Sequence, residues 1–106
     1  MAAQPNKEPV LDLLASMTAD SLEASSLDPE TLMLVRIAAL VAVDAPPGSY
    51  LMNLGVAADS GVEVEQVQGV LAAVAPIVGA PRVVSAAGRM ADALGVAIDL
   101  SQAGAR

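Results

Sequence analysis

Apolar residues recur along this chain at steps of three and four, and no period-two run flanked by hairpin turns interrupts them, so the pattern predicts helices throughout. Val10, Leu13, Leu14, Met17 and Leu22 form a stripe from Val10 to about Ser25, with Asp12, Asp20 and Glu23 off it. A second helix opens at Leu27-Asp28-Pro29-Glu30. There Asp28 can cap free N–H groups, Pro29 suits the first helical position and Glu30 favours the positive dipole end. The run from Thr31 to Val43 is apolar almost all round, which puts it in the middle of a bundle or between subunits. Asp44-Ala45-Pro46-Pro47-Gly48 breaks it.

Ser49 to about Ser60 predicts a third helix, capped by Ser49 and ended by Gly61. A fourth opens at Glu63-Val64-Glu65-Gln66, runs through Val74 and is disturbed at Pro76. After Gly79-Ala80-Pro81, a fifth spans Arg82 to Leu94 and is stopped by Gly95. The expectation is an all-α bundle of about five helices: an N-terminal arm over 1–9, one helical domain over 10–95 and a C-terminal tail over 96–106.

Composition adds a partner. A single domain of 106 residues could bury roughly 64% of its unfolded surface, yet 55% of its residues are apolar and only 16% charged. That much apolar side chain leaves a patch to cover, so a homo-oligomer is expected. With no Cys there is no disulfide, redox pair or thiolate site, and with no His there is no imidazole base or ligand. A net charge of −7 and a lone aromatic, Tyr50, argue against nucleic acid as a partner. The longest uncharged stretch, Gln66 to Pro81, is too broken to span a bilayer, and the start has no apolar leader. The expectation is a cytoplasmic protein without membrane contact, metal or cofactor.

Four elements in order carry a resemblance: Leu27-Asp28-Pro29, the segment Pro46 to Asn53, Ala57 through Gly61-Val62-Glu63-Val64-Glu65-Gln66-Val67, and Ala75-Pro76-Ile77-Val78-Gly79-Ala80-Pro81. Over about residues 27–95 the chain resembles the carboxymuconolactone decarboxylase and alkylhydroperoxidase D-like family. The resemblance implies a helical core in which a central helix leads to an active-site segment.

Thiol-dependent members of that family carry Cys-x-x-Cys-x-x-x-His, with a Glu earlier on the central helix; decarboxylase-type members keep the His. Counting back from Gly61, the resemblance places the His equivalent at Asn53, the Cys equivalents at Ser49 and Pro46, and the Glu equivalent at Met33 or Leu34. The chain departs from the pattern at all of them. Thiol peroxidase chemistry is excluded for want of a thiolate, and Asn53 cannot transfer protons usefully near pH 7.

The remaining polar candidates each carry two readings. Ser49, Tyr50 and Asn53 either cap a helix, pack at an interface and satisfy buried backbone, or orient a bound small molecule. Arg36, alone on an apolar helix, either pairs with Asp44, Asp59 or an acid of a neighbouring subunit, or binds an anion. Arg82 and Arg89 share a face and suggest a solvated surface or intersubunit ion pairs. Asp20-Ser21-Leu22 matches the attachment tripeptide of acyl carrier proteins, but Ser21 comes too early in the chain for that fold. The sequence therefore points to a non-catalytic small-molecule-binding or structural homo-oligomer, with ligand candidates Arg36, Ser49, Tyr50 and Asn53. The alternative is an enzyme acting on a small carboxylate or lactone through Ser49, Tyr50 and Arg36.

Overall fold

The computed structural model describes residues 8–104, so the segment 1–7 of the expected arm lies outside it. Five helices fill the described chain: α1 (Pro9–Ala24), α2 (Pro29–Ala42), α3 (Pro47–Asp59), α4 (Val64–Val78) and α5 (Ala80–Gly104). No strand occurs among the described residues, and the expected all-α bundle is what forms.

Local chemistry explains most boundaries. Asp28 Oδ1 accepts from the Thr31 N–H at 2.8 Å, and Pro29 occupies the first turn, so α2 starts where its capping residues require. At the end of α3, Gly61 takes φ +94°, with its N–H on Ala58 O and the Val62 N–H on Ala57 O. Those two bonds form a Schellman motif and satisfy carbonyls the helix leaves open. The end of α2 has the same pair, Asp44 N–H to Val41 O and Ala45 N–H to Leu40 O. Here a non-glycine residue, Asp44, holds φ +57°.

Three expected boundaries are corrected. Ser49 does not cap α3: Pro46 occupies that position, and the Ser49 N–H already bonds Pro46 O. The fourth helix runs through Pro76 to Val78. Pro76 costs the bond to the Ala72 carbonyl, but that residue is exposed and water can serve it, while Val74 and Val78 pack inward. Gly95 does not stop α5, which begins at Ala80 and continues through it. A glycine stops a helix by adopting a left-handed conformation, and Gly95 has no positive φ.

The core lies around α2. Leu32, Met33, Ile37 and Val41 are buried on it, joined by Ala45, by Tyr50 and Ala57 of α3, and by Ala86, Met90 and Ala93 of α5. Half-buried Val67, Val70, Leu71 and Val74 of α4 close the remaining side. The apolar helix therefore sits in the middle, packed on α3, α4 and α5. Its buried neighbours on α3 and α5 include alanines, which let those backbones approach closely.

One helix stands apart. No residue of α1 is buried, and its backbone does not come close to the other four. Val10, Leu11, Leu13, Leu14, Met17 and Leu22 all remain exposed.

Candidate functional site

Between α1 and the α2–α3 pair lies a cavity of about 520 Å³, open to solvent. From α1 come Met17, Thr18, Ser21 and Leu22; from α2, Met33, Arg36, Ala39 and Leu40; from α3, Met52, Asn53 and Val56. These positions follow helical spacing, so each helix turns one stripe toward the space. Most of the lining is aliphatic or thioether, with hydroxyls, one amide and one guanidinium for polarity.

Arg36 is the cation of this site. Its Nη2 donates to Ser21 Oγ at 3.1 Å and more loosely to Thr18 O at 3.4 Å. No carboxylate among the described residues lies within ion-pair distance of it. The expected partner Asp44 is engaged elsewhere, with Arg89 at 3.5 Å and the Ser85 hydroxyl at 3.0 Å. A guanidinium offers five N–H donors, and one Arg36 nitrogen makes all its bonds within the protein.

The sequence candidates separate here. Asn53 shares the cavity with Arg36, and its Nδ2 donates to Ser49 O at 2.8 Å. Ser49 touches the site only through that carbonyl and is not part of the lining. Tyr50, next along α3, is fully buried in the core and does not line the cavity. It does not pack at an outer surface of the chain. Its hydroxyl has no hydrogen-bond partner, and burial raises its pKa above the ordinary phenol value, with Arg89 opposing and Asp44 adding to the rise.

Arg82 keeps the exposed position expected of a solvated face, and Arg89 is half-buried. Both reach the end of α2: Arg82 donates to the Ala42 carbonyl, and Arg89 to Asp44 O at 2.7 Å and Ala45 O at 2.8 Å. Cations are favoured at that negative helix end.

The α1 contribution was missed in the sequence because α1 looked like an ordinary amphipathic surface helix. The signal was present in the 17, 18, 21, 22 spacing, and Ser21 of the acyl-carrier-like tripeptide turns out to accept from Arg36. Two smaller cavities, of about 140 Å³ and 210 Å³, lie along α3 and α5. Their linings are apolar except for Glu63 in the first. Among the described residues no three acidic, His or Cys side chains gather into a metal-binding group, and no helix is long and apolar enough to cross a membrane.

The model of the carboxymuconolactone decarboxylase family matches residues 8–93. No curated protein and no solved structure matches the chain.

Proposed function

The chain belongs to the carboxymuconolactone decarboxylase family, and from that premise we propose that it is a homo-oligomer that binds a small molecule without transforming it. The observation that carries the reading is the chemistry of the α1–α2–α3 cavity. Its polar groups are Thr18, Ser21, Arg36 and Asn53. None of these side chains exchanges a proton readily near neutral pH, so the site has no general base and no activated nucleophile. A cavity of about 520 Å³ is nevertheless of ligand size, since such sites run from about 300 to 1,000 Å³. By the resemblance, the family's catalytic positions fall on Pro46, Ser49 and Asn53, and Asn53 spends its amide nitrogen on its own helix.

The exposed apolar surface supports the oligomer. The exposed apolar stripe of α1, from Val10 to Met17, is the part of the surface best suited to be covered.

Native mass spectrometry of gently purified protein tests both halves. The expected result is an oligomer carrying a reproducible extra mass. A bare oligomer that shows no thermal shift with any small-molecule set overturns the binding half, and a monomer overturns the assembly.

A further inference from the structure

We propose that the ligand of the α1–α2–α3 cavity is an aliphatic monocarboxylate, its head on Arg36 and its chain along the methionine-rich floor. The inference rests on the binding reading above and names the ligand class.

The head follows from charge. Arg36 is the one cation lining the cavity, no acid lines it, and no described carboxylate pairs with Arg36. Its bonds to Thr18 and Ser21 all run through Nη2, so Nη1 and Nε make no hydrogen bond to the described protein. Nη1 lies cis to Cδ and the Nε–H points to the Nη2 side, so the two do not fork one carboxylate. A carboxylate oxygen takes a single charge-assisted bond from Nη1. A single negative charge suits the site better than a phosphate dianion, because one guanidinium balances one charge and the chain carries a net −7.

The chain follows from the lining. Met17, Met33 and Met52 together with Leu22, Leu40 and Val56 surround the rest of the space. Unbranched thioether side chains adapt to a flexible hydrocarbon, and no aromatic ring lines the cavity to stack on a planar ligand. The exposed thioether of Met52 and the half-buried guanidinium of Arg36 put the cavity in reach of solvent, so a ligand can enter without unfolding the core.

Isothermal titration below the micelle concentration, with dodecanoate, its uncharged analogue dodecanol, and acetate, tests this on the full chain. Dodecanoate is expected to bind once per subunit, with acetate undetectable. Arg36→Gln should weaken dodecanoate by about tenfold or more, the loss of a charged hydrogen bond, while leaving dodecanol within about twofold. Arg36→Lys restores the cation and should recover most of the dodecanoate affinity lost in Arg36→Gln, which ties the loss to the charge on the head-group contact. Ala39→Trp, which fills the cavity from an exposed position of α2, should abolish both ligands while circular dichroism stays helical. Equal binding of dodecanoate and dodecanol, unaffected by Arg36→Gln, overturns the carboxylate assignment and leaves a binding cavity in place. An Arg36→Gln variant that loses dodecanol as fully as dodecanoate overturns it too, because Arg36 then acts only by holding α1. If neither chain binds but purified protein carries another adduct, the ligand class is wrong and the binding reading survives. If neither binds and no adduct is found, both fall.

Discussion

Arg89 and Asp44 meet in two ways at once: Nη2 of Arg89 lies 3.5 Å from the Asp44 carboxylate, and Nη1 donates to the Asp44 carbonyl at 2.7 Å. The same Nη1 reaches Ala45 O at 2.8 Å. One side chain of α5 thus holds the turn that ends α2, and Asp44 keeps a left-handed backbone, φ +57°, within that grip. The two side chains are 33% and 42% exposed, so the ion pair itself is worth little, about 0.5 kcal/mol. The carbonyl contacts carry more.

Arg89→Ala should therefore destabilise by about 2 kcal/mol, because it removes charge-assisted bonds to two carbonyls. Asp44→Asn should cost well under about 1 kcal/mol, and 1 M salt should not reproduce the Arg89 effect. Asp44→Gly should come out within about 1 kcal/mol of wild type, since relief of a left-handed non-glycine offsets the lost pair. Urea unfolding followed by circular dichroism measures all three; an Arg89→Ala variant no weaker than Asp44→Asn refutes the capping role.

The buried Tyr50 hydroxyl lacks a partner, and an unsatisfied buried polar group costs about 1–3 kcal/mol. Tyr50→Phe is expected to raise the melting temperature, whereas Tyr50→Ala should cost about 3–5 kcal/mol through the cavity it opens. A destabilised Tyr50→Phe protein means that the hydroxyl is hydrogen-bonded in solution.

The same residue sets an alkaline limit. Its pKa is raised in the fold, chiefly by burial, so the folded state holds the proton after the unfolded chain has released it. The associated stability is whole below about pH 10 and is lost as pH rises through the folded value. Melting curves from pH 8 to 11 should fall for wild type and flatten in Tyr50→Phe.

At the acid end the relevant group is Asp28, whose carboxyl is held below its ordinary pKa, first by the Thr31 N–H. A lowered folded value gives stability that is present above the unfolded pKa and is lost as pH falls through the folded one. Asp28→Asn preserves the cap and should melt near wild type at pH 7 while losing that acid-side dependence. Asp28→Ala should melt lower than wild type at pH 7, because it removes the cap as well as the charge.

Two glycines should respond oppositely. Gly95 lies inside α5 with open space where a Cβ would go, and Gly95→Ala should stabilise by about 0.5–1 kcal/mol. Gly61 has φ +94°, and Gly61→Ala should destabilise by about 1–2 kcal/mol. Stabilisation of both would contradict the helix ends described here.

Half of the candidate site was legible before the fold was known. Arg36 stood out because a lone cation on an apolar helix needs a reason, and Asn53 because the resemblance placed it where the family keeps a His. Tyr50 could not be separated from them by spacing alone. Three residues at about 100° each leave Tyr50 and Asn53 only about 60° apart on α3. The periodicity therefore puts both on one side of the helix, and only the neighbouring helices divide that side into core and cavity edge. Which is which depends on where α1 and α5 lie.

Taken by itself, the sequence determined what neighbouring residues can decide: helix type, the start at Asp28-Pro29, the stop at Gly61 and the central place of α2. Those outcomes depend on capping bonds, backbone freedom and the period of apolar side chains, all confined to a turn or two. The tertiary structure decided the rest. It gave Arg36 a partner 15 residues back in Ser21 and Arg89 one 45 residues back in Asp44. It carried α5 through Gly95 and α4 through Pro76, and it left α1 along one side of an open cavity instead of in a layer of the core. Contacts of that kind are made between elements, where packing outweighs local propensity and no short stretch of sequence records the partner.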